Sequence, residues 1–315
     1  MKLNLVLSKT NWTSFHQIAF ADLILEYFNI IYIEDQLPPP KTSLLVSNLT
    51  ENRWYQDLHN QGYPLIVDLL WGVDTFELPN SFSLINANWF WYHEALLYQR
   101  QGLNQYIPNR TYVKKALMPM GLRKKSHDLL FDMVTNYLDD FIYSYVERLG
   151  KYLPDDAPAN FWNKTEKQNT KQTGQNQRYF NPIWYDSTYF SLVSETTVNN
   201  DNTKPLHITE KSFKPMAFYH PFMIFGQQGV LKYLRSQGFE TFENLFDESY
   251  DNDFDESIRV KKIVDNIKSF KYSEFDDLTN QKIRHNHNLF FDIPRIVTHI
   301  EQEIVYPILD FFENN

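Results

Sequence analysis

The sequence predicts an α/β chain with parallel sheets, divided into two domains. Three observations predict it. Apolar runs of strand length alternate with runs of helical period, and strands separated by helices read as a parallel sheet. The length of 315 residues suits two domains of ordinary size. The alternation pauses at Tyr106-Ile107-Pro108-Asn109-Arg110 and then begins again. The expected division is an N-terminal α/β domain over 1–108, a second α/β domain over 109–293, and a C-terminal helix over 294–315.

In the first domain the strand candidates are Leu3–Leu7, Ile30–Ile33, Ser43–Ser47, Leu65–Leu69 and Ser83–Asn86. Thr13–Tyr27 and Phe90–Gln101 carry helical periodicity between and after them. Leu37-Pro38-Pro39-Pro40 interrupts the pattern, because proline fixes φ and offers no N–H. In the second domain Val113–Met118, Tyr189–Ser194 and Pro221–Phe225 read as strands. Lys125–Tyr137, Thr209–Tyr219 and Val230–Ser236 read as helices. Residues 153–178 are polar and poor in apolar side chains, which predicts a mobile excursion. Pro294–Phe312 is amphipathic at helical period, with a kink expected at Pro307.

Composition excludes several function classes. There is no cysteine, so disulfides, thiol nucleophiles, Fe–S clusters and Cys-zinc sites are all absent. The net charge of −9 argues against a non-specific phosphate-backbone binder. Only 9 residues are glycine, and neither GxGxxG nor GxxxxGK[ST] occurs. A bound nucleotide would therefore need another kind of cradle. Met1–Ser8 is too short for a signal h-region, and no window of 18 uninterrupted apolar residues exists. The expectation is a soluble protein of the cytoplasm, or of a host's cytoplasm if the chain is viral.

The stretch that carries chemistry runs from Ser191 to Gly226. A strand ends at the carboxylate of Glu195, and a polar loop follows. Then come His207-Ile208-Thr209-Glu210-Lys211, and Pro221 through Phe225-Gly226. Thr209 is a good N-cap and Glu210 belongs to the first turn. A helix start with a lysine beside it suits phosphate: free N–H groups, the positive dipole end and a cation converge there. Glu210 can accept hydrogen bonds from ribose hydroxyls. Taken alone, a Thr-Glu-Lys tripeptide reads as an ordinary helix start; the longer context gives it weight.

That context resembles the donor-binding half of GT-B fold glycosyltransferases, above all the α-1,3-fucosyltransferase type. The family shows a strand ending in Glu, a loop, a Y-V-T-E-K helix start and a strand ending P-I-x-x-G. Ser194-Glu195-Thr196, His207–Lys211 and Pro221–Gly226 stand in those places. The resemblance covers mainly residues 189–240. A G-F-E-T-F…D-E-S-Y-D run, Gly238–Phe242 and Asp247–Asp251, also resembles glycosyltransferase-like proteins of phages and large viruses. The fold implied is two Rossmann-like domains with the C-terminal helix packing back on the first. The resemblance implies that Glu210 holds the donor ribose and Lys211 the diphosphate. His207 replaces the family's tyrosine and can still donate to a phosphate oxygen. The family's arginine at the start of this domain's first helix has His127 in its register here, with Arg123, Lys124 and Lys125 just upstream. A basic helix start suits a diphosphate, and a solvated basic loop is the other reading.

The function expected is sugar transfer from a nucleotide-diphosphate sugar to a hydroxyl acceptor, a glycan before DNA. It is expected to be inverting, with no metal and no cofactor beyond the donor. Such a transfer needs a general base and cationic help for the leaving diphosphate. Asp68, at the carboxyl end of Leu65-Ile66-Val67, is the base candidate, with Asp74, Glu34 and Glu94 as rivals. A plain strand-end cap is the alternative for Asp68. His285-Asn286-His287 and the acidic residues Asp247–Asp253 read as structural rather than metal-binding. Arg178 and Arg259 are further donor-site candidates, and Tyr179, Phe180, Trp184 and Tyr185 could stack a base or sugar, with core packing as the default. Two other functions stay open. A phage enzyme glycosylating hydroxymethylated DNA bases would use a groove of Arg110, Lys114, Lys115 and Arg123–Lys125. A non-catalytic glycan or nucleotide binder would keep the fold and lose turnover.

Overall fold

The computed structural model describes residues 2–8, 18–33, 37–47, 54–68, 79–84, 88–150, 181–199 and 206–314. The expected excursion over 153–178, and with it Arg178, Tyr179 and Phe180, lies outside the described residues, as do Glu34 and Asp74. The chain forms two compact units. Met1–Asn104, Asp201–Phe213 and Phe290–Asn315 make the first; Gln105–Asn200 and Lys214–Leu289 make the second.

The first unit holds β1 (Leu3–Leu7), α1 (Ile18–Tyr27), β2 (Phe28–Tyr32), β3 (Ser43–Ser47), α2 (Trp54–Asn60), β4 (Leu65–Asp68), β5 (Ser81–Leu84) and α3 (Trp89–Arg100). All four strand pairings are parallel, in the order β2-β1-β3-β4-β5. Leu5–Leu7, Leu44–Val46 and Leu65–Val67 are fully buried. Such continuous apolar runs are what central strands covered on both faces require.

The second unit holds β6 (Lys114–Met120), α4 (Lys125–Val134), β7 (Phe141–Tyr145), α5 (Val146–Leu149), α6 (Pro182–Asp186) and β8 (Thr188–Ser194). α7 (Glu210–Ala217), β9 (Phe222–Phe225), α8 (Val230–Ser236), α9 (Glu256–Ser269) and α10 (Asp277–Phe290) follow. Its sheet is also all parallel, ordered β7-β6-β8-β9. The unit division runs through α7, whose first four residues group with the first unit. In each sheet the strand order reverses once, between β1 and β3 and between β6 and β8. Such a switch point, at the carboxyl ends of the strands, is where open α/β sheets bind ligands.

The last segment belongs to the first unit. It comprises α11 (Ile293–Ile300), a π-helical stretch Glu301–Val305 and α12 (Tyr306–Glu313). Phe311 stacks on Phe82 at 5.6 Å, and Tyr92 donates to Glu303 at 2.8 Å. The kink expected at Pro307 takes the form of the widened turn before it. Proline cannot donate to residue 303, and the Tyr306 N–H reaches back five residues to the Glu301 carbonyl.

Two other expectations shift. β6 runs past Pro119 to Met120, one residue beyond the missing donor, and the Met120 N–H finds the Ser144 hydroxyl at 3.1 Å. The helix expected to Tyr137 ends at Val134 and tightens into a 3₁₀ turn, Thr135–Asp140, with the Thr135 hydroxyl on the Phe131 carbonyl at 3.0 Å. The fold class is the expected one: two α/β units on parallel sheets, with the C-terminal helices in the first.

Candidate functional site

Two clusters hold the residues the sequence singles out. The first is the start of α7, in the first unit. Glu210 is N1 and Lys211 is N2. The Lys211 N–H meets the Thr209 hydroxyl at 3.5 Å, a long capping bond, and the Ser212 N–H reaches the Thr209 carbonyl at 3.2 Å. The Lys211 ammonium also donates to Thr209 Oγ1 at 3.2 Å and to Glu210 Oε1 at 3.1 Å. Thr209 and Glu210 are buried, while the Lys211 side chain is 24% exposed. A cation and a carboxylate are thus held at the positive end of an eight-residue helix. Their pairing keeps the buried Glu210 charge compensated. His207, two residues before Thr209, is buried, with its ring edge-on to Phe90 at 6.2 Å.

The second cluster lies in the second unit, at the carboxyl ends of β6 and β8. β6 leads through Gly121–Lys124 into α4, and β8 leads into Glu195. His127 bridges these two ends. Its Nδ1 lies 2.8 Å from the Leu122 carbonyl and its Nε2 2.9 Å from the Glu195 carbonyl. The sequence reading expected His127 to face a diphosphate; both ring nitrogens instead face backbone carbonyls and the side chain is buried. His127 ties the switch point together. Lys124 adds a second tie, donating to the Thr196 carbonyl at 2.6 Å.

Arg123 keeps more freedom, with its side chain 58% exposed. Its Nε holds Asp128 at 2.9 Å, and its backbone N–H donates to Glu147 at 2.6 Å. Asp128 also accepts from the Tyr145 hydroxyl at 2.8 Å and from Arg148 at 3.1 Å. Partial burial works against the Asp128 charge, but the Arg123 and Tyr145 hydrogen bonds hold its carboxyl below the usual range. Burial, with the Asp128 charge, pushes the Tyr145 phenol up to about 12. The Asp128–Tyr145–Arg148 network was not foreseen, because these positions share no sequence spacing.

Glu195 is fully buried, and its carboxylate accepts from the Thr196 N–H at 3.1 Å. Gly226, at the end of β9, explains the glycine in the third motif. A Cβ there would lie 3.1 Å from Val230 Cγ2 and 3.4 Å from Glu195 Cγ. Arg259 is buried beside it and donates to the carbonyls of Gly226 and, at 2.8 Å, Val198. It serves this edge as an internal brace.

The G-F-E-T-F…D-E-S-Y-D run is a scaffold for the same edge. Glu248 accepts from the Phe242 N–H at 2.6 Å, from Thr241 at 2.8 Å and from Arg235 at 2.8 Å. The Tyr250 hydroxyl accepts the Ile224 N–H of β9 at 3.2 Å. Asp251 accepts the Leu231 and Lys232 N–H groups at the start of α8.

The remaining candidates disperse. Asp68 is the last residue of β4, in register with Leu84 of β5. Glu94 is buried on α3 rather than at a strand end. Trp184 and Tyr185 are core residues, with Tyr185 stacked on Phe218 at 4.4 Å. His285 contacts the Gly238 carbonyl at 2.8 Å and His287 the Ala217 carbonyl at 3.0 Å, so the two serve different backbone groups. Among the described residues no group of three potential metal ligands is present, and no helix is long and apolar enough to cross a membrane.

The basic residues invoked for DNA do not form one groove. Lys115 is buried on the Ile267 carbonyl, and Lys114 donates to Asp139. Arg110 is turned to the backbone of Tyr185 and Phe218. These three precede or open β6, whereas Arg123–Lys125 follow its other end.

No protein-family model matches the chain, and no curated protein does. Solved structures of an α1,3-fucosyltransferase are similar to it. One has a TM-score of 0.49 at 11% identity, covering 94% of this chain and 92% of that one. A structure with GDP-fucose has a TM-score of 0.41 at 12% identity, over 92% and 90% of the two chains. One with GDP has a TM-score of 0.41 at 11% identity, over 94% and 92%.

Proposed function

We propose that this chain is a GT-B-type glycosyltransferase that moves a sugar from a nucleotide-diphosphate sugar to a hydroxyl acceptor, a glycan rather than DNA. The observation that carries the reading is the start of α7. There the Lys211 ammonium is held against Thr209 and the buried Glu210 carboxylate at a helix N-terminus. That arrangement supplies what a ribosyl diphosphate needs: an acceptor for ribose hydroxyls, and a cation at the positive end of a helix. The residue pattern of Glu195, His207–Lys211 and Pro221–Gly226, similar to α-1,3-fucosyltransferases, supports the same assignment.

In this reading Glu210 binds the ribose. Lys211 binds the diphosphate, with His207 donating to a phosphate oxygen and Thr209 fixing the helix start. Glu195 and His127 shape the second unit's switch point, where the exposed Arg123 guanidinium is a cation of that unit's own. Asp68 is the general base. It takes the acceptor hydroxyl proton as that oxygen attacks the anomeric carbon. The bond from that carbon to the diphosphate oxygen breaks, and the electron pair leaves on the diphosphate. Lys211 stabilises this charge most when the bond is broken, which is where it speeds transfer. No resident cofactor or metal is part of this reading.

The test is a thermal-shift panel of GDP-, UDP-, dTDP- and CMP-sugars on the wild type and on Lys211→Ala. One donor class is expected to raise the melting temperature of the wild type and to lose most of that shift in the variant. Asp68→Asn is expected to keep donor binding and lose turnover by about 10²–10⁴-fold. A wild type that no nucleotide sugar stabilises contradicts the proposal.

A further inference from the structure

The second unit carries a cavity of about 290 Å³ at the amino-terminal edge of its sheet, lined by Tyr106, Tyr112, Tyr219, Phe275, Asn280 and Arg284 among others. Tyr112 lies just before β6, and Tyr219 just before β9. The switch point with Glu195 and His127 is at the opposite edge, about 20 Å away along β6 at roughly 3.3 Å per residue. The volume sits near the lower end of the ~300–1,000 Å³ range of small-molecule pockets, enough for one or two sugar rings.

Two features mark this cavity as a built site. Among the described residues, three non-glycine residues have positive φ, and two of them are its tyrosines: Tyr112 at 44° and Tyr219 at 53°. Bulky residues adopt that backbone conformation only when their surroundings impose it, and such positions gather at ligand clamps. Here the imposing contacts are visible. Arg110 donates to the carbonyls of Phe218, at 2.9 Å, and Tyr219, and it pairs with Asp186 at 3.5 Å. The Asp186 carbonyl in turn accepts the Tyr112 N–H at 3.2 Å. One arginine–aspartate pair therefore sets both tyrosines.

The second feature is how the rings are held. Tyr112 stacks on Tyr189 at 4.3 Å, and Tyr219 stacks on His287 at 3.7 Å. One face of each ring is covered, and each lines the cavity with what remains. Among the described residues neither phenol hydroxyl takes a hydrogen-bond partner. Burial pushes both phenols above their usual range, so both stay protonated donors. Asn280 donates its amide N–H to the Phe275 carbonyl at 3.0 Å and keeps its side-chain oxygen as an acceptor. Arg284 is exposed at the rim and adds guanidinium donors.

Fixed aromatic surface surrounded by donors and an acceptor matches a pyranose ring, which has an apolar C–H face and a belt of hydroxyls. We infer that this cavity is a second carbohydrate site, which holds a hexose unit of an oligosaccharide at the edge of the sheet away from the switch point. The assignment is independent of the donor reading, since none of its residues belongs to the donor machinery.

Saturation-transfer-difference NMR on the full chain tests it, with cellotriose, maltotriose and chitotriose as probes and adenosine as the planar control. At least one trisaccharide should receive saturation at its ring protons. The signal should fall at least fivefold in Arg284→Ala and in Tyr112→Phe and persist in Lys211→Ala. Arg284 is exposed and Tyr112→Phe keeps the stack, so both variants should melt like the wild type. The inference is overturned if no trisaccharide receives saturation. It is equally overturned if the signal survives both cavity variants, if it disappears in Lys211→Ala, or if only adenosine binds.

Discussion

Among the individual side chains, His220 shows most directly how burial sets chemistry. It lies between β8 and the start of β9, with Nε2 2.7 Å from the Thr188 carbonyl and Nδ1 2.8 Å from the Ser191 hydroxyl. A carbonyl can only accept, so Nε2 carries the proton and Nδ1 accepts from Ser191. Burial, with Arg110 nearby, pushes the His220 imidazole well below its usual 6.5. The unfolded chain therefore takes up a proton below about pH 6.5 that the folded chain refuses, and stability falls as the pH drops from there. Glu248 and Asp251 act in the opposite sense, because burial raises their carboxyls and the folded state protonates first. Comparing wild type with His220→Gln isolates the histidine. Between pH 6.5 and pH 5 the wild type should lose stability faster, by up to about 1.4 kcal/mol per pH unit, in urea titrations. Gly226→Ala gives a second residue-scale prediction. Its Cβ would press on Val230 Cγ2 at 3.1 Å, and overpacking of this kind costs about 1–3 kcal/mol. The motif residues were legible in the sequence; their partners were not. Nothing in the spacing reveals that His127 meets the Glu195 carbonyl, since that contact arises only when β6 and β8 lie side by side.

Among the elements, those read best have strong local signals. Leu3–Leu7, Ser43–Ser47 and Val230–Ser236 match their expected bounds. Their apolar runs are bounded by turn residues or glycine. β7 was missed because Phe141–Tyr145 follows directly on the 3₁₀ turn that continues α4's period. α9 was also missed, although its signal is plain. Asp255 caps it through the Ser257 N–H at 2.7 Å, and Val260, Ile263, Val264 and Ile267 make a buried stripe. α8 gives the prediction for this scale. It begins after Gly229 with no side-chain cap of its own, and Asp251 supplies the acceptor from a distant turn at 3.1–3.2 Å. Asp251→Ala should cost about 1–2 kcal/mol of global stability in denaturant titrations. Asp251→Asn should recover about half of that, since its side-chain oxygen still accepts one N–H.

For the whole molecule, the two parallel sheets were legible, because strand and helix periods alternate along both halves; the strand orders that place the switch points were not. The assignment of Thr209–Lys211 to the first unit was not, because it depends on packing between segments far apart in sequence. The C-terminal helices show the same long reach. Ile296, Ile300, Ile304, Val305 and Ile308 are fully buried. At about 1.5–3 kcal/mol each, their burial rivals the 5–15 kcal/mol net stability of a domain. A chain truncated after Asp292 should therefore lose the cooperative melting of its first unit, seen as lost near-UV signal from Trp91, whose ring packs on His299. The central claim is that α7 begins with a donor cradle, and isothermal titration of the favoured nucleotide sugar into wild type and Lys211→Ala tests it most directly. Binding weakened at least tenfold by the substitution, at a temperature where both proteins remain folded, is the predicted result; equal affinity in the two proteins would contradict it.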